Sequence, residues 1–406
     1  MFREKCQVCD SANLTEIINL GSHPFADSFI PSSKISEADN IYPLICDICA
    51  DCGHVQTRCK TDPNARYSGL EYSYTSSNSS FTRTHWENYA KEVSEELDLK
   101  PNSLVVEIGS NDGYLSEQFL KKGNRVVGVD PSPVMAELAK QRNIATMVEL
   151  FSSKTSKEIL GKHGKADLIV ANNVFNHIDN LQEFVKSVSE FLSPNGSFVF
   201  EQPYWLELVK SGKFDQIYHE HVNYFTVKAL SKLFERVEMA IKSVNIVDFH
   251  GKSFRVTAQR KENIPSTPQE ISQRILEEES FGLFKPEIYK EFMRKNIKQR
   301  SNFLQKIHKI KEDGYPIIAI AAAAKGNTFL NFYKLDHTII DYVTDASPHK
   351  KGKYTPATRI PIAGDEIFLK YGKVYALILT ENLPTKIKDI LLGMNPQIEF
   401  ISSDES

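Results

Sequence analysis

Short runs of apolar, β-branched residues alternate with stretches of helical periodicity through the middle of the chain. LVVEIG (104–109), RVVGVD (125–130), TMVEL (146–150), ADLIVANN (166–173) and SFVFEQP (197–203) read as strands, with 112–122 and 133–141 as helices between them. Strand–helix alternation at this spacing predicts an α/β fold with a doubly wound parallel sheet. SVNIVDF (243–249) and FRVTAQR (254–260) are joined only by His250 to Ser253. A parallel crossover needs about a dozen residues, so these two are predicted to pair antiparallel at one end of the sheet. Thr267-Pro268-Gln269-Glu270 reads as a helix N-cap, a first-turn proline and a capping-box glutamate. A longer helix is predicted from Pro286 to Asp313, closed by Gly314. A second strand–helix pattern begins at Tyr315: IIAIAAA, a helix after Lys325, then TIIDYVTD, RIPIAG and VYALIL. The beginning of the chain differs, with short apolar runs, breakers and cysteines around a core too small to stand without a staple. The pattern divides the chain into 1–66, 67–262, a helical connector at 263–314, and 315–406.

Composition narrows the function. Among 406 residues, 49 Lys and Arg stand against 52 Asp and Glu, a net charge of −3. A nucleic-acid binder usually carries a basic excess, so none is expected as a partner. The longest purely apolar run, Ile317 to Ala324, is far short of the roughly 18 residues of a membrane span. The N-terminal MFREKCQVCD is polar, without the apolar centre of a signal peptide. A soluble, cytoplasmic protein is expected, with no membrane partner. All six cysteines fall between Cys6 and Cys59. In a reducing compartment such a cluster points to a metal before disulfides.

Cys6-x2-Cys9 and Cys49-x2-Cys52 form two knuckle-like pairs. Four thiolates complete a tetrahedral Zn(II) shell and leave no open position, so the expected zinc is structural. Gly53 suits a tight turn beside the metal. Cys46-x2-Cys49 is also a CxxC, and free or redox-active thiols are the plainer alternative; Cys6, Cys9, Cys49 and Cys52 are the chosen set.

The first strand of the central pattern runs into Glu107-Ile108-Gly109-Ser110-Asn111-Asp112-Gly113 and then a helix. Glycines here let the backbone approach a ligand, and the helix start offers oriented N–H groups. The second strand ends at Asp130, about 20 residues on, where a carboxylate can take both ribose hydroxyls. The spacing E-x-G-x-x-x-G is not that of a dinucleotide binder, which favours S-adenosylmethionine over NAD. The expected cofactor residues are Glu107, Gly109, Asn111, Gly113 and Asp130, with Leu150 and Phe151 near the adenine and Asn172 after the fourth strand.

QIYHEHVNYF (216–225) crowds Tyr218, His219, Glu220, His221 and Tyr224 into one segment. His221 titrates near neutrality and suits general-base work, oriented by Glu220 or a neighbouring tyrosine. His-Glu-His lacks the i, i+4 spacing of a helical metal site. His177, in NNVFNHIDN (172–180), follows the fourth strand at the edge where open α/β sheets bind ligands. A solvated polar loop is the alternative for either segment.

These motifs, in this order, resemble the deoxysugar C-methyltransferases, which add a methyl branch to nucleotide-linked 4-keto-6-deoxysugars. LGSHPFADSF, CADCGHVQT, YSYTSSNSSFTRTHW, VVEIGSNDGYL, GVDPSP, NNVFNHIDN, FEQPYW, YHEHVNYF, HGKSFRV and AAAAKGNTFLN carry the resemblance across essentially the whole chain. It departs from the family at Cys46, an added cysteine, and at Lys252, where glycine is common. The resemblance implies a zinc-binding module, a class I S-adenosylmethionine-dependent methyltransferase sheet and a C-terminal Rossmann-like α/β part, with the sugar nucleotide between them. It implies a catalytic set of Tyr74, His177, Tyr218, Glu220 and His221. Tyr224, Ser253, Arg255, Lys325 and Asn327 are candidates for the substrate, the last two at a strand–helix turn suited to a diphosphate.

Carbon methylation next to a ketone needs a base to remove an acidified C–H, stabilisation of the enolate oxygen, and a nearby methyl donor. Two rivals remain at this level. An O- or N-methyltransferase would need no keto substrate, and a non-catalytic zinc-dependent interaction protein would not bind the donor.

Overall fold

The computed structural model describes residues 2–62, 66, 75–249, 251–379 and 385–403. Its first part is an antiparallel sheet built from β1 (Leu14–His23), β3 (Tyr42–Cys49) and β4 (Val55–Thr57), while β2 (Ile30–Pro31) lies apart. Helix α1 (Ser80–Glu96) follows, capped by a reciprocal Ser79–Thr82 box. The central run is β5 (Leu104–Ile108), α2 (Tyr114–Lys121), β6 (Arg125–Val129), α3 (Pro133–Gln141), β7 (Ala145–Met147), α4 (Ser153–His163), β8 (Ala166–Val170), α5 (Leu181–Phe191), β9 (Leu192–Pro203) and α6 (Trp205–Ser211). Then come β10 (Asn223–Tyr224), α7 (Val227–Glu235), β11 (Met239–Val247) and β12 (Ser253–Arg260). Helices α8 (Gln269–Phe281) and α9 (Pro286–Glu312) connect to β13 (Ile317–Ile320), α10 (Ala324–Tyr333), β14 (Tyr342–Thr344), β15 (Lys353–Tyr354), β16 (Ile362–Ala363), β17 (Val374–Ile378), α11 (Thr385–Met394) and β18 (Ile398–Ile401).

The central sheet has the order β11-β12-β9-β8-β5-β6-β7. β5 through β9 are parallel, and β12 enters antiparallel between β9 and β11, as the short 250–253 link requires. The chain leaves β5 toward β6 and β7, then returns to β8. The direction reverses between β5 and β8, which opens a crevice at their carboxyl ends. The second α/β sheet, β16-β14-β13-β17-β18, is parallel throughout and reverses between β13 and β17.

The parts interlock through short strands. β10 leaves the central part and pairs with β4 (Asn223 against Gln56, Tyr224 against Val55). β15 of the C-terminal part pairs with β2. One apolar cluster runs without a break from Cys6 and Val55 through Phe175 and Phe198 to Phe329 and Leu377.

Two expected boundaries move. TMVEL stops as a strand at Met147, and Leu150 beyond it is 53% exposed. The expected box at Thr267 does not form: α8 starts one residue later, with Pro268 at its N-cap, and Glu270 Oε1 accepts the Val244 N–H instead (2.8 Å). A tertiary donor on β11 replaces the local one. By contrast α3 spans 133–141 as expected, because Pro133 sits in its first turn and Ser132 Oγ accepts the Met135 N–H.

Candidate active site

The Cys6, Cys9, Cys49 and Cys52 sulfurs all lie within 4.8 Å of one another. Cys6–Cys52 is 3.5 Å and Cys9–Cys49 is 3.6 Å. Zn–S bonds of about 2.3 Å give a tetrahedron with edges of about 3.8 Å, so the four sulfurs fit zinc. Gly53, at φ 75°, returns its N–H to the Cys49 carbonyl and closes the second knuckle. Cys46 is buried in β3, paired with Ile18 and Thr57, outside that cluster.

The turn after β5 is drawn tight against β6. Gly109 N–H donates to Val129 O (2.7 Å), and Asp130 accepts from the Asn111 N–H (2.8 Å) and the Ser132 N–H (2.9 Å). Gly109 and Gly113 hold φ of 70° and 74°, a region that favours glycine. A Cβ on Gly109 would fall 2.2 Å from Val174 Cγ2, and one on Gly113 would fall 2.9 Å from Ala139 Cβ. The turn is thus held to bare backbone by close packing against Val174 and Ala139. Asn111 Oδ1 accepts from the Ser76 and Asp112 N–H groups, which ties the segment before α1 to the turn. Glu107 lies beneath, accepts from Ser116 Oγ (2.6 Å), and is pushed up to about 8 by burial. Burial also raises Asp130. Leu150, exposed beside half-buried Phe151, offers an apolar edge for a flat base. Asn172 Oδ1 accepts the Glu201 N–H (2.8 Å).

The 216–225 segment leaves α6, crosses the carboxyl edge and enters the zinc-module sheet as β10. His221, 7% exposed, donates from Nδ1 to the Gln216 carbonyl (2.9 Å). That fixes Nε2 as the bare nitrogen, and Tyr218 Oη donates to it at 2.6 Å. The His177 ring meets His221 edge-on, centroids 4.8 Å apart. Burial, with Arg66 nearby, pushes His177 down to about 4, so it is neutral at pH 7. Tyr74 lies outside the described residues.

Glu220 does not orient His221. Its Oε1 instead accepts the Asp27 N–H (3.3 Å) from the zinc module. Burial and then Asp27 raise Glu220 to about 8, which makes it a carboxylic acid at neutral pH. His219 also faces that module, against Pro43 O and the rings of Phe25 and Tyr42.

The expected substrate residues divide. Tyr224 lines a small cavity with Asn176, Trp205, Gln216 and His221. Lys325 and Asn327 lie on α10, whose N-cap Ala323 supplies no side-chain cap. Asn327 donates to Ala26 O (2.6 Å) and so joins the C-terminal part to the zinc module. Ser253 donates to Phe249 O, and Arg255 pairs with Glu201 and Glu92, so both spend their polar groups inside the protein. The reading of the sequence passed over His85, which donates to Glu201 Oε2 (2.7 Å) and stacks on Phe249 (centroids 3.7 Å). Its neighbours in THW and FEQPYW are the trace of that pair in the chain.

Three family models match in succession. A "Putative zinc binding domain" covers residues 6–67, a "Methyltransferase domain" 81–244 and a "C-methyltransferase C-terminal domain" 248–395. The C-methyltransferase NovU of Streptomyces niveus is 30% identical over 386 residues, 95% of this chain and 91% of that protein. A ubiquinone biosynthesis O-methyltransferase of Methylobacterium sp. (strain 4-46) is 30% identical over 95 residues, 23% of this chain and 38% of its own. Among solved structures, a 1,6-didemethyltoxoflavin-N1-methyltransferase of Burkholderia thailandensis is 17% identical, covering 52% of this chain and 96% of that one (TM-score 0.38). With the strand order, the bare-backbone turn and the four-sulfur cluster already in place, the match along 95% of the length settles membership: the chain belongs to the C-methyltransferase family, as an S-adenosylmethionine-dependent enzyme with a structural zinc site.

Proposed function

We propose that the chain methylates a nucleotide-linked 4-keto-6-deoxysugar at C3, the carbon beside the C4 ketone, through an enolate. The observation that carries this reading is the Tyr218–His221 pair: a phenol donating at 2.6 Å to an imidazole whose other nitrogen is anchored on Gln216. Such a pair moves a proton; a methyl transfer to an already nucleophilic oxygen or nitrogen would need less.

When bound, the donor supplies an electrophilic methyl on a sulfonium. Asp130, with Gly109, Asn111 and Gly113, would hold it at the ends of β5 and β6, where Asp130 has lone pairs left for ribose hydroxyls. Tyr218 takes the C3 proton as its own proton passes to His221 Nε2, so the positive charge comes to rest on His221. Neutral His177, beside it, does not repel that charge, and its one N–H is held by the Glu220 backbone carbonyl. With the donor bound, the enolate carbon would take the methyl as the sulfonium C–S bond breaks to leave a neutral thioether, and the residues that hold the two substrates would govern that in-line approach. Lys325 and the uncapped start of α10 are assigned to the diphosphate, whose charge suits a helix N-terminus.

The test is a panel of dTDP-, CDP- and GDP-linked 4-keto-6-deoxysugars with S-adenosylmethionine, read by mass spectrometry. A product heavier by one methylene, with the new methyl on carbon, is expected from one of them. Methylation on oxygen or nitrogen would replace this reading with the O- or N-methyltransferase.

A further inference from the structure

Asn223 occupies an unusual junction. It is 1% exposed, two residues beyond His221, and lies in β10, the short strand shared with the zinc module. Its Nδ2 donates to Ile178 O at 2.7 Å, next to His177. A carbonyl only accepts, so this bond fixes which end of the carboxamide is which. Oδ1 therefore faces the zinc module, where it accepts from His54 Nε2 (3.0 Å) and from Gln7 Nε2 (2.8 Å). Gln7 sits inside the first knuckle, between Cys6 and Cys9; His54 sits two residues past Cys52 of the second.

Backbone bonds run alongside. Val222 N–H donates to Asn176 O (2.9 Å), and Thr57 N–H donates to Val222 O (3.0 Å). Residues 222 and 223 thus grip the His177 turn on both sides, at Asn176 and at Ile178. That turn is a single 3-10 turn, and β10 is two residues long. Neither has regular structure of its own to hold the two imidazoles at their spacing.

We infer that Asn223 is a positioning residue: its carboxamide joins both metal-binding knuckles to the segments carrying His177 and His221, so that the zinc site sets the geometry of the acid–base pair. Loss of such a link displaces a reacting group without removing it, and a misplacement of about 1 Å can cost about 100-fold in rate. This inference rests on the proposed role of Tyr218 and His221.

The experiment uses the zinc-loaded full chain and four variants: Asn223→Ala, Asn223→Asp, which keeps the acceptor and loses the donor to Ile178, Gln7→Ala, and the Gln7→Ala, Asn223→Ala double variant. Three quantities are read: bound zinc, the histidine ring resonances by 15N NMR, and turnover on the methylated sugar. Asn223→Ala should keep its zinc and its donor affinity, with kcat lower by about 10- to 100-fold and KM within about threefold. The His177 and His221 ring signals should move. Asn223→Asp should follow Asn223→Ala, and Gln7→Ala should give a smaller loss that vanishes in the Asn223→Ala background. Wild-type turnover and unshifted histidine signals in Asn223→Ala would overturn the inference. So would losses for Gln7→Ala and Asn223→Ala that multiply. If Asn223→Ala does not fold, Asn223→Asp and Gln7→Ala carry the same comparison. A wild-type enzyme without turnover would instead strike at the proposed function, and the histidine spectra would still decide the positioning role.

Discussion

Tyr218 and His221 are three residues apart, and in a tight turn that spacing lays a phenol ring over an imidazole, centroids 3.9 Å apart, with the hydroxyl 2.6 Å from Nε2. The residue types were visible in YHEH, but the direction of each side chain was not. Glu220 adjoins His221 in the chain and turns away from it because the zinc module offers a backbone donor at Asp27. Likewise the carbonyl of Gln216, which fixes the His221 tautomer, carries no mark in a sequence. The position of Asp130 at the end of the second strand was legible, and its role toward the ribose is part of the proposal. Asp130 also holds the turn by two hydrogen bonds. Bonds to a charged group are each worth about 1.5–3 kcal/mol, so Asp130→Ala should weaken S-adenosylmethionine binding by at least about tenfold in calorimetry. An unchanged affinity would remove Asp130 from the cofactor site.

At the scale of elements, strands and helices with local causes were readable, as α3 illustrates. Those with tertiary causes were not. β10 exists only because β4 is there to pair with, and the first residues of β9 pair with β8 through an irregular register between Ala166 and Leu168. The 216–225 segment docks on the zinc module through Glu220, and this has a pH consequence. Glu220 stands at about 8 in the fold against an ordinary value of 4.5. Between those values the folded state binds a proton that the unfolded state has lost, so Glu220's contribution is fully present below the lower value and disappears as pH rises through the upper. Histidines pushed down by burial, His23, His54, His177 and His219, have the opposite slope, but below about 7. Thermal unfolding between about pH 7 and pH 9 should therefore show falling stability, and Glu220→Gln should flatten the fall by roughly 1 kcal/mol or more. Parallel curves for the two proteins would contradict the docked, protonated Glu220.

In the whole molecule the zinc module is a wall of the candidate active site. It supplies β4 to the 216–225 segment, the Asp27 N–H to Glu220, and an anchor at Ala26 for Asn327 of the C-terminal part. The cysteine spacing revealed the metal, yet the long reach of the module was hidden, because contacts across hundreds of residues leave no local pattern. Folding of such a module is coupled to its metal. Removing zinc with a chelator should lower the melting temperature and abolish turnover, while donor affinity, held by β5 and β6, falls far less. Equal loss of both would mean that the module supports the donor site as well.

The central claim, a proton drawn from carbon by Tyr218 and His221, is tested most directly by hydrogen exchange. The accepted 4-keto-sugar nucleotide is incubated in deuterated water with enzyme and without S-adenosylmethionine, and the C3 position is followed by NMR. Wild-type enzyme should wash deuterium into C3, and Tyr218→Phe and His221→Ala should slow this by about 100-fold or more. Wash-in at the wild-type rate in both variants would contradict the account.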